Sequence, residues 1–247
     1  MSEWLTFFLG LFPKLIEGTW VTLVLLVVSG VLGNLLAVPV ALARVSRNPA
    51  LWVPSYLYIL LMRGTPLLVQ IYLVYYGLGE IFGRSPAIRH SFLWPYLREG
   101  FWYAALALIL NTAGYSGEIL RGAIQAVPSG EIEAGRAFGM SRWLMLRRVI
   151  LPRAIRISLP TFGGETILLL KATALASTVT VMDMLGVANF IRSQTFRVYE
   201  PLLAAAVIYI VLTFFITRAF NFAERQLNKD RLPPKSVTIA PAAVPAK

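Results

Sequence analysis

Seven polar or charged residues stand in, or at the ends of, long apolar runs: Arg63, Thr65, Asn111, Tyr115, Glu118, Glu165 and Lys171. An ionisable group at membrane depth costs at least about 2.5 kcal/mol on insertion scales unless it faces protein or water. Arg63 offers a planar fork that takes a carboxylate through two hydrogen bonds. Glu118 or Glu165 offers an anion for an ammonium group, and a second acid suits a basic side chain. Asn111, Tyr115 and Glu118 are four and three residues apart, which puts them on one helix face. Such a set can hold a small molecule carrying both signs of charge. The same groups can also satisfy one another. Glu118 and Arg121 are i,i+3 partners, Lys171 can neutralise Glu165 or Asp183 or snorkel to an interface, and Arg63 can cap carbonyls at a helix break.

Other chemistries find little support. Zero Cys removes disulfides and thiolate ligands, and a single His leaves no imidazole cluster, so no metal site is expected. There is no nucleophile elbow and no pair of carboxylates on one motif, which argues against a membrane-embedded enzyme. No Gly-x4-Gly-Lys-Ser/Thr occurs, so the chain is not itself a P-loop ATPase, and no cofactor is expected in it.

The elements that position these residues are membrane helices. The chain of 247 residues is 57% hydrophobic and 14% charged, with mean hydropathy +0.67. Residues 1–18 read as an interfacial helix ending at Pro13; without a basic start or small-residue cleavage site, it is expected to be retained. Thr19 to Ala43 forms a first span, where Gly30 and Gly33 let a neighbour approach closely. Leu51 to Gly79 forms a second, interrupted by Arg63-Gly64-Thr65-Pro66, and Pro66 frees a backbone carbonyl one turn earlier. After a polar connector, Glu80 to Gly100, comes a third span at Phe101 to Gly117, with Glu118 at its exit. Trp94 and Tyr96 in that connector read as interfacial anchors. Ser158 to Met182 is the fourth span, carrying Glu165 and Lys171; Asp183 to Glu200 is a short outer connector, and Pro201 to Thr217 is the fifth span. The fold class is therefore an all-α integral membrane protein with five transmembrane helices. Its membrane domain covers residues 19–220, and a basic tail, 221–247, is expected to be disordered.

The net charge of +11 does not point to nucleic acid, because the basic residues cluster between and beyond the spans. Loop 44–50, loop 121–157 and the segment from Arg218 onward carry 15 Lys/Arg, against six on the other side. Positive-inside therefore expects loop 121–157 and the C-terminus in the cytoplasm and the N-terminus outside.

Loop 131–152 is unlike its surroundings: Glu-Ile-Glu-Ala-Gly-Arg-Ala-Phe-Gly-Met-Ser-Arg-Trp-Leu-Met-Leu-Arg-Arg-Val-Ile-Leu-Pro. Helix formers run to Phe138, Gly139 allows a sharp reversal, and Ser141 can cap a second short helix. Trp143, Leu146 and Val149 or Ile150 are expected on one side of that helix, and Pro152 is expected to close it. An Arg-rich elbow between membrane spans, with no catalytic group, reads as a docking part.

The elbow resembles the cytoplasmic EAA loop of ABC-importer permeases: Glu-Ala-Ala, three residues, Gly, nine residues, then Ile-x-Leu-Pro. Glu133-Ala134-Gly135, Gly139 and Val149-Ile150-Leu151-Pro152 keep that spacing, with Gly135 for the second Ala and Val149 for Ile. Gly135 costs the first helix up to about 1 kcal/mol relative to Ala. Arg63-Gly64-Thr65-Pro66-Leu67-Leu68-Val69-Gln70, Asn111 to Gly122 and Lys171-Ala172-Thr173-Ala174-Leu175 resemble motifs of polar-amino-acid importer permeases. The connector Ile88 to Pro95 is similar to the branch serving histidine, lysine/arginine and opines.

This resemblance covers roughly residues 15–225. It implies a type I ABC-importer permease fold in the bacterial inner membrane, with Glu133, Ala134, Gly135, Gly139, Met140, Leu151 and Pro152 coupling to the ATPase. It also implies two permease chains, identical or paralogous, two ATPase subunits carrying ATP and Mg, and an extracytoplasmic solute-binding protein, in a membrane lipid setting. The substrate implied is a polar or basic amino acid (histidine, arginine, lysine or an opine), so that Arg63 would meet its carboxylate and Glu118 or Glu165 its ammonium. A self-contained secondary transporter or channel is the competing reading. The chain shows no clear internal repeat, which counts against it.

Overall fold

The computed structural model describes residues 2–227, with side chains from residue 4 onward, and all elements among the described residues are helical. Helix α1 (Ser2–Gly10) runs almost unbroken into α2 (Phe12–Val45). Pro13 does not end the N-terminal helix as expected. It lies in the first turn of α2, where a missing N–H removes no helical bond. Residues 12–18 therefore belong to the first long helix.

Helix α3 (Pro49–Gly64) starts at Asn48, whose side chain accepts from the Ala50 N–H at 3.0 Å. The chain then breaks at Thr65-Pro66 and continues as α4 (Leu67–Tyr72), a π-helical turn and α5 (Gly79–Arg84). The expected interruption is sharp: the two arms meet at 108°. Two short helices, α6 (Pro86–Arg89) and α7 (Trp94–Leu97), form the connector. The Tyr103 hydroxyl donates to the Leu97 carbonyl and ties the connector to α8 (Gly100–Gln125).

The elbow is α9 (Ser129–Ala137) and α10 (Arg142–Met145). Pro152 does not close the second helix. The chain passes through a π turn, Leu146–Ile150, straight into α11 (Leu151–Ala172), with Pro152 in the first turn. The Leu151 N–H bonds back five residues to the Leu146 carbonyl. That wider turn makes room for a proline ring whose missing N–H would otherwise break an α-helical ladder. Helix α11 tightens into a 3₁₀ segment, Thr173–Val179, before α12 (Met184–Thr195) and α13 (Tyr199–Leu227). Asn221 to Leu227 are helical rather than disordered. The remainder of the expected tail lies outside the described residues.

The bundle is organised around α2 and α8, its most extensively paired helices. Gly33 makes their approach possible, since a Cβ there would sit 2.7 Å from the Thr112 Cβ. Gly30 makes only an ordinary contact with Leu169, at 3.6 Å. Leu25, Leu26, Ile71, Ala104, Leu108, Leu170 and Val179 close the core around this pair. Helices α2 and α13 are long and apolar enough to span a membrane alone, and each bent pair qualifies when counted as one span. Helix α8 lies inside the bundle instead, with Leu108, Ala113, Ser116 and Gly117 buried. It can therefore carry Asn111, Thr112 and Glu118 against protein rather than lipid.

Candidate functional site

The helix break is the first thing that shapes the site. Pro66 has no N–H to give the Met62 carbonyl, and two amides replace it. Gln70 Nε2 donates to that carbonyl at 3.0 Å and Asn111 Nδ2 at 3.1 Å. Gln70 also donates to Thr65 Oγ1 at 2.8 Å and accepts from Asn111 Nδ2 at 3.0 Å. Thr65 Oγ1 in turn donates to the Leu61 carbonyl at 2.7 Å. Thr65 and much of Asn111 are thus committed to holding the break. Arg63 does not cap it. Gln70, buried at the centre of this network, was visible in the sequence only as an amide four residues after Pro66.

Gly114 then brings the break down onto α8. A Cβ there would lie 2.6 Å from the Met62 Cβ, so only Gly lets α3 come this close. The Arg63 guanidinium consequently lies over the Tyr115 ring, 5.3 Å from its centroid. Both face a cavity of about 480 Å³ whose wall also includes Thr65, Asn111 and Glu165. Thr112 and Ser116, from the Asn111–Gly122 motif, add polar groups, as do Asn34 and Thr166, which no local sequence pattern indicated. Among the described residues, neither Arg63 nor Glu165 makes an ion pair or a hydrogen bond. Arg63 lies within electrostatic reach of Glu165. The cavity therefore presents one uncommitted cation and one uncommitted anion.

Glu118 is elsewhere. Its Oε1 accepts from the Arg121 guanidinium at 2.6 Å, and its Oε2 lies 3.9 Å from Arg44 Nε. It lines a separate space of about 370 Å³. Asn111 and Tyr115 share a cavity face, but Glu118, one turn on, does not join them. Lys171 is exposed near the end of α11, lines neither space, and pairs with neither Glu165 nor Asp183. Asp183 is buried and caps α12, accepting from the Gly186 N–H at 3.0 Å.

The elbow is built for display. Gly139 adopts φ 71°, the left-handed geometry its reversal requires. Ser141 Oγ accepts from the Leu144 N–H at 3.3 Å and caps α10. Gly135 packs on Met145, where a Cβ would stand 2.8 Å from Sδ. The Met140 N–H bonds the Gly135 carbonyl at 3.1 Å, closing the turn. Glu131 pairs with Arg153 at 3.2 Å, and Ile132 packs on Leu120, Ala123, Val127 and Ala154, fixing the elbow to the bundle. Glu133 and Ala134 point outward, beside Phe138 at 85% and Trp143 at 67% exposure. Of α10 it is Met145, not Trp143 from the expected apolar side, that is buried, and it packs against Gly135.

A model of the family described as binding-protein-dependent transport system inner membrane component matches residues 33–229. The chain belongs to that family. The permease is 46% identical over 220 residues to the octopine transport system permease protein of Rhizobium radiobacter, covering 89% of this chain and 88% of that one. It is 43% identical over 209 residues to the histidine/lysine/arginine/ornithine transport system permease protein of Salmonella typhimurium, covering 85% and 88%. Among solved structures it is similar to a chain of an amino acid ABC transporter with histidines. The TM-score is 0.75 at 34% identity, over 88% of this chain and 96% of that one. The permease is thus an all-α inner-membrane transport component with the type I ABC-importer fold.

Proposed function

We propose that this permease forms the translocation path of an ATP-driven importer for a polar or basic amino acid or an opine. The carrying observation is the cavity in which Arg63, over the Tyr115 ring, and Glu165 face one space, neither making a hydrogen bond or ion pair among the described residues. A zwitterion supplies what each lacks: a carboxylate for the Arg63 fork and an ammonium for Glu165. The Tyr115 ring lies under the guanidinium, and Thr166, Asn34 and Asn111 offer polar contacts for a side chain. Glu165 takes the role that the sequence left open between it and Glu118. The names of the octopine and histidine/lysine/arginine/ornithine relatives support this substrate class.

The chain works with a second permease, identical or paralogous, two ATPase subunits that carry ATP and Mg, and an extracytoplasmic binding protein. Glu133, Phe138 and Trp143 are the outward groups of an elbow that docks on the ATPase, with Gly135, Gly139 and Met140 shaping it and Leu151-Pro152 joining it to α11. The elbow and C-terminus face the cytoplasm and the N-terminus faces outside, in keeping with the charge bias of the loops. The test is uptake by the assembled importer in proteoliposomes containing ATP, with L-arginine, L-histidine, L-lysine and octopine as competing substrates. The expected result is uptake that requires both the ATPase and ATP. Uptake by this chain alone, driven by an ion gradient, would identify a secondary transporter instead.

A further inference from the structure

The second cavity, about 370 Å³, has no part in the reading above. It shares Arg63, Gly64 and Tyr115 with the first, so the two spaces flank one wall. It also lies nearer the elbow. On α2 the first cavity is lined at Asn34 and the second at Arg44, a step of about 15 Å at helical rise. Its charged lining groups are Arg44, Arg63 and Glu118. Glu118 is largely spent, because Arg121 holds its Oε1 at 2.6 Å.

The two arginines outnumber the one carboxylate of the lining. Arg44 lies over the rings of Trp52 and Tyr56, at 5.4 and 5.1 Å, as Arg63 lies over Tyr115. The Arg44 side chain is only 11% exposed, and its approach of 3.9 Å to Glu118 is too long for a hydrogen bond. Its buried Nε has no acceptor among the described residues. Stacking on rings orients a guanidinium but satisfies none of its donors. Two guanidinium groups, each over an aromatic ring, around one space whose single carboxylate is already bonded to Arg121 suit a further carboxylate.

We infer that the second cavity is a carboxylate-binding station, one step further along the path than the first. The inference rests on the first cavity being the transport site. Arg63 belongs to both linings, so a carboxylate it holds can pass from one space to the other while staying on a guanidinium, and Arg44 receives it. Glu118, close to Arg44 but not bonded to it, weakens that grip, as a station that must also release its ligand requires.

The chain contains no Cys, so a single introduced thiol reports on one place. Leu60→Cys reports on the second cavity and Thr166→Cys on the first, in the assembled importer, with labelling of this chain followed by mass. The probes are an anionic methanethiosulfonate (ethylsulfonate) and a cationic one (ethyltrimethylammonium), each rate normalised to reaction with a free thiol. At Leu60→Cys the anion should react about tenfold faster than the cation. Arg44→Gln should abolish that preference and Arg44→Lys should keep it, which separates charge from fold. L-arginine should slow labelling at Leu60→Cys during turnover; L-argininamide, which lacks the carboxylate, should not. Equal rates for the two probes, a preference that survives Arg44→Gln, or equal protection by the amide would each overturn the inference. Failure of the first-cavity reading looks different: Thr166→Cys would go unprotected by L-arginine, while the anion preference at Leu60→Cys, which needs no substrate, would stand.

Discussion

Glu165→Gln is the substitution whose cost the structure lets one work out. Gln keeps the shape of Glu and removes one charge. Among the described residues Glu165 makes no hydrogen bond or ion pair, and Arg63 lies within its electrostatic reach, so the change breaks no bonded pair. Its cost should fall on the ligand. A bound zwitterion would keep its ammonium in a partly dry cavity without a counter-charge, which typically costs 2–5 kcal/mol. The cavity is open enough to admit water, so the low end applies, about 2–3 kcal/mol, or about 30- to 150-fold in Kd. The assay is equilibrium binding of radiolabelled L-arginine to the purified complex without its soluble receptor, alongside a thermal-unfolding scan. Affinity should fall by that factor while the melting temperature stays put. A Kd within twofold of the parent would refute the assignment of Glu165, and a parallel loss of stability would make it a structural residue.

Three further outcomes follow from the same geometry. Gly139→Val forces a β-branched residue into a left-handed conformation, which costs about 1–2 kcal/mol; the complex should insert normally yet lose substrate-stimulated ATP hydrolysis, and full coupling would sink the docking role of the elbow. Gln70→Leu removes the amide that binds Met62, Thr65 and Asn111 at the break, and should lower stability by about 1–3 kcal/mol in thermal unfolding; an unchanged melting temperature would show that Asn111 suffices. Reporter fusions after Asn48 and near Arg136 should read as cytoplasmic and fusions near Arg89 and Gln194 as external, whereas an external signal near Arg136 would invert the topology.

Much of this was legible where a residue's effect is local. Pro66 had to leave a carbonyl unpaired, so a break was readable, and Gly139 and Ser141 specified a reversal and a cap through their own backbone and side-chain preferences. What needed the fold was whatever depends on residues distant in sequence. Glu118 and Glu165 look alike in the chain. Only packing shows that Arg121 and Arg44 flank the first while the second is left to the cavity. Asn34 reaches the same cavity from α2, far from any motif. Pro152 misled because a proline usually ends an α-helix, and the π turn that accommodates it is not written in any one residue. Gly135 reads in the sequence only as a weakened helix position; that Met145 packs against it depends on the fold.

The central claim is that Arg63 and Glu165 grip opposite ends of one substrate. Its most direct test is an electron cryo-microscopy structure of the assembled importer loaded with L-arginine. The account predicts ligand density in the first cavity, with the carboxylate in hydrogen-bond contact with the Arg63 guanidinium over Tyr115 and the α-ammonium on Glu165. A ligand seated with its carboxylate away from Arg63, or bound outside this cavity altogether, would contradict it.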